Sequence, residues 1–251
     1  MKAKTILIIA IIALIFIGSI VAVVVPWGRK DNGEYVYRAF SDHVEVLKYI
    51  GSDYNVTVPD EIVGLPVTMI GDGTFKEYTR LEKVTLGKNV VKIGSNAFRG
   101  CTTLSEIVFN DKISELGSGC FAGCTSVTAV NIPDTVTSVG SEVFYGCTGL
   151  TRVILPATPK FQSIGSSAFR GCTSLTSLVI PDGVTSIGTK VFQDCTALKS
   201  VTLPKTLVYI ANKAIFKNCT ALDEIQVHEG SKADQWCQHN GFTEKLKYAE
   251  E

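Results

Sequence analysis

A phenylalanine that returns at nearly constant spacing is the feature that most constrains how this chain can fold. Successive intervals in the series are 23, 23, 23, 25, 23 and 24 residues. The series consists of Phe75, Phe98, Phe121, Phe144, Phe169, Phe192 and Phe216. A fixed period of about 20–50 residues is typical of solenoids, in which each unit buries its apolar face against its neighbours. The sequence therefore predicts one elongated repeat domain, although its length would allow two globular ones.

Each unit carries three local signals. The first is Phe-x-x-Cys, whose spacing puts both side chains on one side of a turn and predicts a short helical or 3-10 turn. The second is Leu-x-x-Val-x-Leu, as at 150–155, whose last positions alternate inward and outward and predict a strand. The third is Val-x-x-Val-Gly, as at 136–140, which predicts a shorter strand ended by a glycine. Prolines such as Pro133 and Pro156 close the first strand, so each unit should contain two strands joined by a corner.

Stacked units should place like residues on top of one another, because neighbouring strands lie about 4.8 Å apart. We therefore expect the repeated phenylalanines to form a column inside the solenoid, here called the aromatic column. A second, aliphatic column is expected beside it, made of Leu104, Val127, Leu150, Leu175, Leu198 and Leu222. Extra residues at 63–67, around 157–159 and near 215 should be accommodated as loops on one face.

The N-terminal segment differs in composition from the repeats. Residues 6–25 form a run of 20 residues with no charged side chain, and roughly 20 apolar residues span a bilayer core. We interpret this run as a retained transmembrane helix. A cleaved signal peptide is the alternative, but its apolar region is usually about 7–15 residues long, and no small-x-small cleavage motif precedes Pro26. Both interpretations place the remaining chain outside the cytoplasm, either as a single-pass protein of the cell membrane or as a secreted one.

Both ends of the repeat region show the signals of caps. Residues 26–34 read as a polar tether, and strand-like residues at 35–40 and 44–47 predict a β-hairpin that covers the first unit. Ser231 is expected to begin a short helix through Gln238, followed by a last strand within 242–248. The predicted divisions are 1–30 for the membrane segment and its flank, 31–55 for the tether and hairpin, 56–227 for the repeats, and 228–251 for the C-terminal cap.

The repeat motif resembles the BspA-like leucine-rich repeats. The resemblance rests on Ala-Phe-x-x-Cys-Thr-x-Leu-x-x-Leu-x-Ile-Pro at 168–181, on Ile-Gly at 187–188, and on their counterparts in the other units. The segments 64–71 and 231–242 also look like that family's first and last units, so the resemblance covers roughly residues 35 to 245. It implies a curved leucine-rich solenoid displayed outside the cell, in a family associated with adhesion, attachment and host-protein binding. Proline stands at the corner where other leucine-rich repeats have asparagine, so no asparagine ladder is expected.

The predicted fold class is therefore a leucine-rich-repeat solenoid, β-rich with short helical or 3-10 turns, preceded by one N-terminal transmembrane helix. The chain has 24 basic and 24 acidic side chains. This balance gives no electrostatic footprint for nucleic acid, and it gives no support to binding of acidic lipids.

The cysteines and histidines do not point to catalysis. Six cysteines occupy one position of the repeat, and all should point the same way into the core, so we expect free thiols; bridges remain the alternative. They are Cys101, Cys124, Cys147, Cys172, Cys195 and Cys219. The three histidines, His43, His228 and His239, all lie in the predicted caps, so none shares the cysteine face to complete a metal site. We predict no metal, no cofactor and no enzymatic activity.

The strongest candidate for a functional surface is the residue that points outward from the first strand of each unit. These residues form the outer row, made of Val108, Asn131, Ile154, Val179 and Thr202, with Thr85 and Gln226 beyond its ends. Exposed apolar patches often mark contact sites, although strands prefer β-branched residues for their own reasons. Neighbouring positions of mixed polarity, Glu106, Arg152, Ser177 and Lys199, suit a protein partner.

We predict a membrane-tethered extracellular protein that binds a protein or surface polymer through the outer row. The rigid sheet face should present this row at low ordering cost. A structural spacer or cell-envelope scaffold without a specific ligand is the alternative. A β-helix acting on polysaccharide is a third interpretation, but it should place carboxylates along one strand face, and the outer row has none.

Overall fold

Short strands stacked one unit above the next form the framework of the protein, which was studied as a computed structural model that describes residues 29–249. The predicted transmembrane segment 6–25 lies outside these residues. Between residues 29 and 249, no helix combines the length and apolar character needed to cross a bilayer.

Most units contribute one strand of about three residues and one strand of two. In chain order, the strands are β1 (Arg29–Asp31), β2 (Tyr35–Ala39), β3 (Val44–Tyr49), β4 (Asn55–Thr57), β5 (Glu61–Ile62), β6 (Leu65–Ile70), β7 (Lys83–Thr85), β8 (Lys92–Ile93), β9 (Glu106–Val108), β10 (Glu115–Leu116), β11 (Ala129–Asn131), β12 (Ser138–Val139), β13 (Arg152–Ile154), β14 (Ser163–Ile164), β15 (Ser177–Val179), β16 (Ser186–Ile187), β17 (Ser200–Thr202), β18 (Tyr209–Ile210), β19 (Glu224–Val227) and β20 (Leu246–Tyr248). The helix α1 spans Lys232–His239, and 3-10 helices span Lys213–Phe216 and Thr243–Lys245.

The strands form two faces with different continuity. The two-residue strands and the N-terminal strands make one uninterrupted sheet, the short-strand sheet, in the order β1-β2-β3-β6-β8-β10-β12-β14-β16-β18, with β5 on β6. The three-residue strands make the long-strand face, which is divided into three sheets: β4-β7-β9, β11-β13 and β15-β17-β19-β20. Repeat neighbours pair in parallel, as the stacking of like units requires.

The N-terminal cap is the predicted hairpin. Strands β2 and β3 pair antiparallel, and β3 joins the short-strand sheet by pairing in parallel with β6. The prediction of an irregular tether is wrong at Arg29–Asp31, because these residues form β1 on the edge of β2. The extra residues at 63–67 also make a hairpin rather than a loop, since β5 and β6 pair antiparallel about Val63 and Gly64, whose φ angles are 52° and 76°.

The predicted helical turn at Phe-x-x-Cys is wrong for the internal units. Around Phe121, Ala122 N donates to Gly119 O and Cys124 N donates to Phe121 O, which are successive β-turns. The alternate amides of Phe121 and Gly123 donate instead to the next unit, at 3.0 and 2.7 Å. This alternation requires positive φ on either side of the phenylalanine, and it is 62° at Gly119 and 73° at Gly123. A helix cannot supply it, because helical residues keep φ negative.

Only the last unit has the predicted 3-10 turn, at Lys213–Phe216. Asn212 caps it, since its side-chain oxygen accepts a hydrogen bond from Ala214 N at 2.9 Å. In the internal units every second amide donates to the next repeat. No further repeat follows this turn, so consecutive amides bond locally and a 3-10 helix forms.

The aromatic column is confirmed. Its seven rings are buried, and successive centroids lie 4.9–5.9 Å apart with interplanar angles of 6–9°. Tyr49 extends the column at the N-terminal end, 5.3 Å from Phe75. At the other end, Phe216 meets Phe242 edge-on at 5.5 Å. The aliphatic column is also buried along its length, so the core is one stack of repeated side chains.

The C-terminal cap follows the predicted pattern. The Ser231 side chain caps α1 by accepting from Asp234 N at 3.1 Å. The helix ends at His239, followed by Asn240 and by Gly241 with φ 84°. Strand β20 then pairs in parallel with β19 and closes the long-strand face.

Candidate functional site

The outer row lies on the long-strand face, where its members are in register within each of the three sheets. Asn131 of β11 is opposite Ile154 of β13. Val179 of β15 is opposite Thr202 of β17, which is in turn opposite Gln226. Val108 of β9 is opposite Thr85. The ladders therefore hold the predicted site residues in three groups that follow one another along the long-strand face.

The centre of the outer row is apolar and exposed. The exposed fraction is 43% for Ile154 and 64% for Val179, and Asn131 is exposed as well. Val108 and Thr202 are half-buried at either side. The Thr202 hydroxyl donates to the Gln226 side chain at 3.0 Å, so that end of the row is already hydrogen-bonded within the protein.

Strand alternation explains why these side chains point outward. In β13, Val153 is buried between exposed Arg152 and exposed Ile154. In β15, Leu178 is buried between two exposed neighbours. Each inward residue contributes to the core, and this fixes the outward direction of the next one, since a slip of one residue would expose the core set.

A cleft opens in the middle of the face. Strands β13 and β15 are neighbours but belong to different sheets, and about 350 Å³ of space lies between them. Ile154 and Val179 stand on its two sides, with Arg152 and Ala157 also in its lining. The unit here is 25 residues long, and Ala157 belongs to its extra residues. Sequence reasoning found this insertion but did not place a cleft beside it.

Some charged side chains near the outer row form ion pairs with each other, and others do not. Lys83 on β7 and Glu106 on β9 form an ion pair with Nζ and Oε1 2.8 Å apart. Arg152 occupies the equivalent strand position in β13, where its register neighbour is Ala129. Within residues 29–249, Arg152 has no carboxylate partner, so its guanidinium is available to a ligand.

The six repeated cysteines are structural. All eight cysteines lie within residues 29–249 and are free thiols. Each repeated thiol donates to the carbonyl of a phenylalanine in the preceding unit, as from Cys147 Sγ to Phe121 O at 3.1 Å. The same bond recurs from Cys101 to Cys219 at 2.9–3.2 Å. Burial raises the pKa of Cys147 to about 12, because the thiolate is poorly solvated there. Such a thiol is a weak nucleophile at neutral pH.

No group of three or more metal-binding side chains converges anywhere in residues 29–249. His43 contacts Asp42 in the N-terminal cap, and the His239 ring contacts the Gln235 carbonyl in α1. In this part of the chain, the long-strand face offers apolar contact, the unpaired guanidinium of Arg152 and strand edges that no ladder joins.

Comparison with known protein families decides the assignment. Residues 68–160 and 150–238, more than half of the chain, match the BspA type leucine rich repeat region in six copies. The chain belongs to the BspA type leucine-rich repeat family. This is a repeat family whose members are typically non-catalytic. The comparison with curated proteins found no match.

One solved structure shows the same fold, and two others are reported with it as similar chains. A leucine-rich repeat protein of T. pallidum aligns with 89% of this chain and 100% of its own at 24% identity, with a TM-score of 0.53. A leucine rich cell surface protein of Faecalibacterium prausnitzii aligns with 86% of this chain and 98% of its own at 17% identity, with a TM-score of 0.38. A leucine-rich repeat protein of Bacteroides ovatus gives the same coverage and identity, with a TM-score of 0.39.

Proposed function

We propose that this BspA type protein is displayed on the cell surface and binds a protein partner through its long-strand face. The observation that carries the proposal is the outer row, in which exposed Ile154 and Val179 stand at the centre of the long-strand face, Ile154 in register with Asn131 and Val179 in register with Thr202. Large apolar side chains on a rigid surface favour association, because little conformational entropy is lost when they are covered.

Display at the surface is supported by the sequence before the solenoid. Residues 6–25 are uncharged and long enough to serve as a membrane anchor. With the N-terminus inside, this anchor places the solenoid outside the cell, tethered by its N-terminal cap. Release after cleavage of the same segment is the alternative, and it leaves the binding face unchanged.

A protein partner fits this face better than a polyanion or a lipid surface. The chain has no net charge, and the charges around the outer row have both signs, as with the Lys83–Glu106 pair. Protein interfaces combine an apolar centre with a polar rim. The outer row has this arrangement, since Ile154 and Val179 lie between the polar residues Asn131 and Thr202.

The test compares aspartate variants of exposed apolar residues. Cells that display the full chain with both Ile154→Asp and Val179→Asp should lose adherence to surfaces coated with extracellular-matrix protein. Val108 is left out because it is half-buried, so a charge there would also disturb folding. Val91→Asp is the matched control, because Val91 is 39% exposed and precedes β8 of the short-strand sheet.

The alternative function is a spacer or envelope scaffold. In that case, cells with the double variant adhere as well as wild-type cells, and cells lacking the whole protein adhere equally. Adherence that requires the protein and survives the double variant would assign binding to another face.

A further inference from the structure

The cleft between β13 and β15 lies at one of the two interruptions of the long-strand face, the other being between β9 and β11. On the β11 side of β13, Thr151 N donates to Thr128 O at 2.8 Å and Ile132 N donates to Ile154 O at 3.0 Å. On the far side of β15, Lys199 N donates to Thr176 O at 2.8 Å. Among the described residues, β13 and β15 share no ladder, so their facing edges lack the hydrogen bonds that join neighbouring strands within each sheet.

The lining of this cleft is mostly apolar. Val153, Leu155 and Leu178, whose side chains are buried in the core, also line it, and Ile154 and Val179 form its exposed sides. Its volume of about 350 Å³ falls within the range of about 300–1,000 Å³ that ligand pockets occupy. It therefore has room for one large apolar side chain.

One cation stands at the cleft. Arg152 lines it and has no carboxylate partner within residues 29–249. A guanidinium binds a carboxylate through two parallel hydrogen bonds when the geometry allows. The cleft thus presents an apolar recess beside a single unsatisfied positive charge, and a complementary ligand pairs an apolar group with an anionic one.

We propose that the β13–β15 cleft is the anchor site for the protein partner and receives one leucine-like or phenylalanine-like side chain with an acidic group beside it. This assignment rests on the proposed function and narrows it to one point of the face. Interfaces concentrate their binding energy in a few large side chains that fill desolvated pockets.

A small probe tests the site without knowledge of the partner. N-acetyl-L-leucine, which carries both an apolar side chain and a carboxylate, is titrated into the full chain held in lipid nanodiscs. Methyl NMR signals of Ile154 and Val179 report on the cleft directly. Saturable shifts of these two signals are expected, with the Val91 methyl signals unchanged. Shifts that do not saturate, or equal shifts at Val91, would overturn the assignment.

Two matched probes and two variants separate the apolar part of the site from the charged part. N-acetylglycine keeps the carboxylate but lacks the side chain, so it should give no saturable shift. N-acetyl-L-leucine amide lacks the charge and should bind about two- to fivefold more weakly, as expected for a partly exposed ion pair. Arg152→Gln should make acid and amide bind equally, whereas Lys199→Gln, on a neighbouring unit, should keep the difference. An undiminished preference for the acid in Arg152→Gln would remove Arg152 from the site.

The outcomes for the cleft and for the face are distinguishable. Loss of adherence in the Ile154→Asp and Val179→Asp double variant, with no probe binding, would mean that the face binds without this anchor. Saturable probe binding with unaffected adherence would leave the cleft a binding site and remove the face from adhesion.

Discussion

The two faces of the solenoid are built from the same units and yet differ in continuity. The short-strand sheet runs without a break from β1 to β18, whereas the long-strand face is divided into three sheets. On the short-strand face the recurring small residues Ser138, Ser163 and Ser186 lie in register. On the long-strand face the outward positions vary in size and polarity, as in Asn131, Ile154 and Val179. The outward residues differ between units on both faces, as Lys92, Glu115 and Tyr209 show on the short-strand face, so the contrast between the faces lies in the continuity of their ladders.

A second contrast holds between the inside and the outside of one unit. Phe144 is fully buried between Phe121 and Phe169, at centroid distances of 5.8 and 5.7 Å. Ile154, ten positions later, touches solvent with 43% of its surface. Stability should therefore depend on the aromatic column and binding on the outer row, and this separation can be tested by substitution.

Phe144→Ala should have the largest effect on stability. Truncating a buried phenylalanine typically lowers the free energy of unfolding by about 3–5 kcal/mol, because apolar contact is lost and a cavity remains. Urea denaturation followed by circular dichroism measures the change. Ile154→Ala is the control and should change the free energy of unfolding by about 0.5 kcal/mol or less, as exposed substitutions usually do. An unaltered midpoint for Phe144→Ala would contradict the stacked core.

The free energy of unfolding should fall at alkaline pH because of the thiols. Burial raises the pKa of Cys147 to about 12 from its ordinary value of 9.0. A folded-state pKa above the unfolded value gives stability that is fully present below pH 9 and is lost as pH rises toward 12. Each such thiol should remove about 1.4 kcal/mol per pH unit in that window.

Cys147→Ala isolates one thiol from the others. The variant is expected to be less stable at pH 7, through its lost contact and hydrogen bond, and to lose stability less steeply above pH 9. Urea denaturation at pH 7, 9 and 10 measures both quantities. An equal slope in wild type and variant would contradict the raised pKa of this thiol.

Gly146→Ala distinguishes the β-turns of the structure from a helical turn by the sign of its effect. Gly146 has φ 68°, and a Cβ built on it would meet no atom within 4 Å, so any cost comes from the backbone conformation. An L-residue in the left-handed region costs roughly 1–2 kcal/mol. In a helical turn the same change would stabilise by roughly 0.5–1 kcal/mol. Thermal or urea denaturation therefore gives opposite signs for the two structures.

Much of the architecture could be predicted because the same residue types recur at the same positions in several units. The period fixed the aromatic column, and Ser231 marked the start of α1. The prediction of a helical turn was wrong because the spacing of Phe144 and Cys147 fits a helical turn and a pair of β-turns equally well. The overlooked signal was the recurring glycine two residues after the phenylalanine, as in Gly146, since a glycine kept at one position indicates positive φ.

The outer row was predictable from strand alternation alone, but the cleft within it was not. The two extra residues around Ala157 were visible in the sequence. Whether such an insertion bulges outward or interrupts a ladder depends on the exact separation of β13 and β15, which no pattern in the sequence reports. The unpaired state of Arg152 likewise depends on which residue stands beside it in the preceding unit, and so on the register.

The variant with the smallest expected effect on stability gives the most direct test of whether the core stabilises the protein and the outer row binds. In the full chain, Ile154→Asp with Val179→Asp should shift the free energy of unfolding by no more than about 1 kcal/mol, because both side chains are exposed. The same double variant should abolish adherence of cells that display it, while Val91→Asp leaves adherence intact. Adherence equal to wild type in a double variant that remains folded would contradict the division between a stabilising core and a binding face.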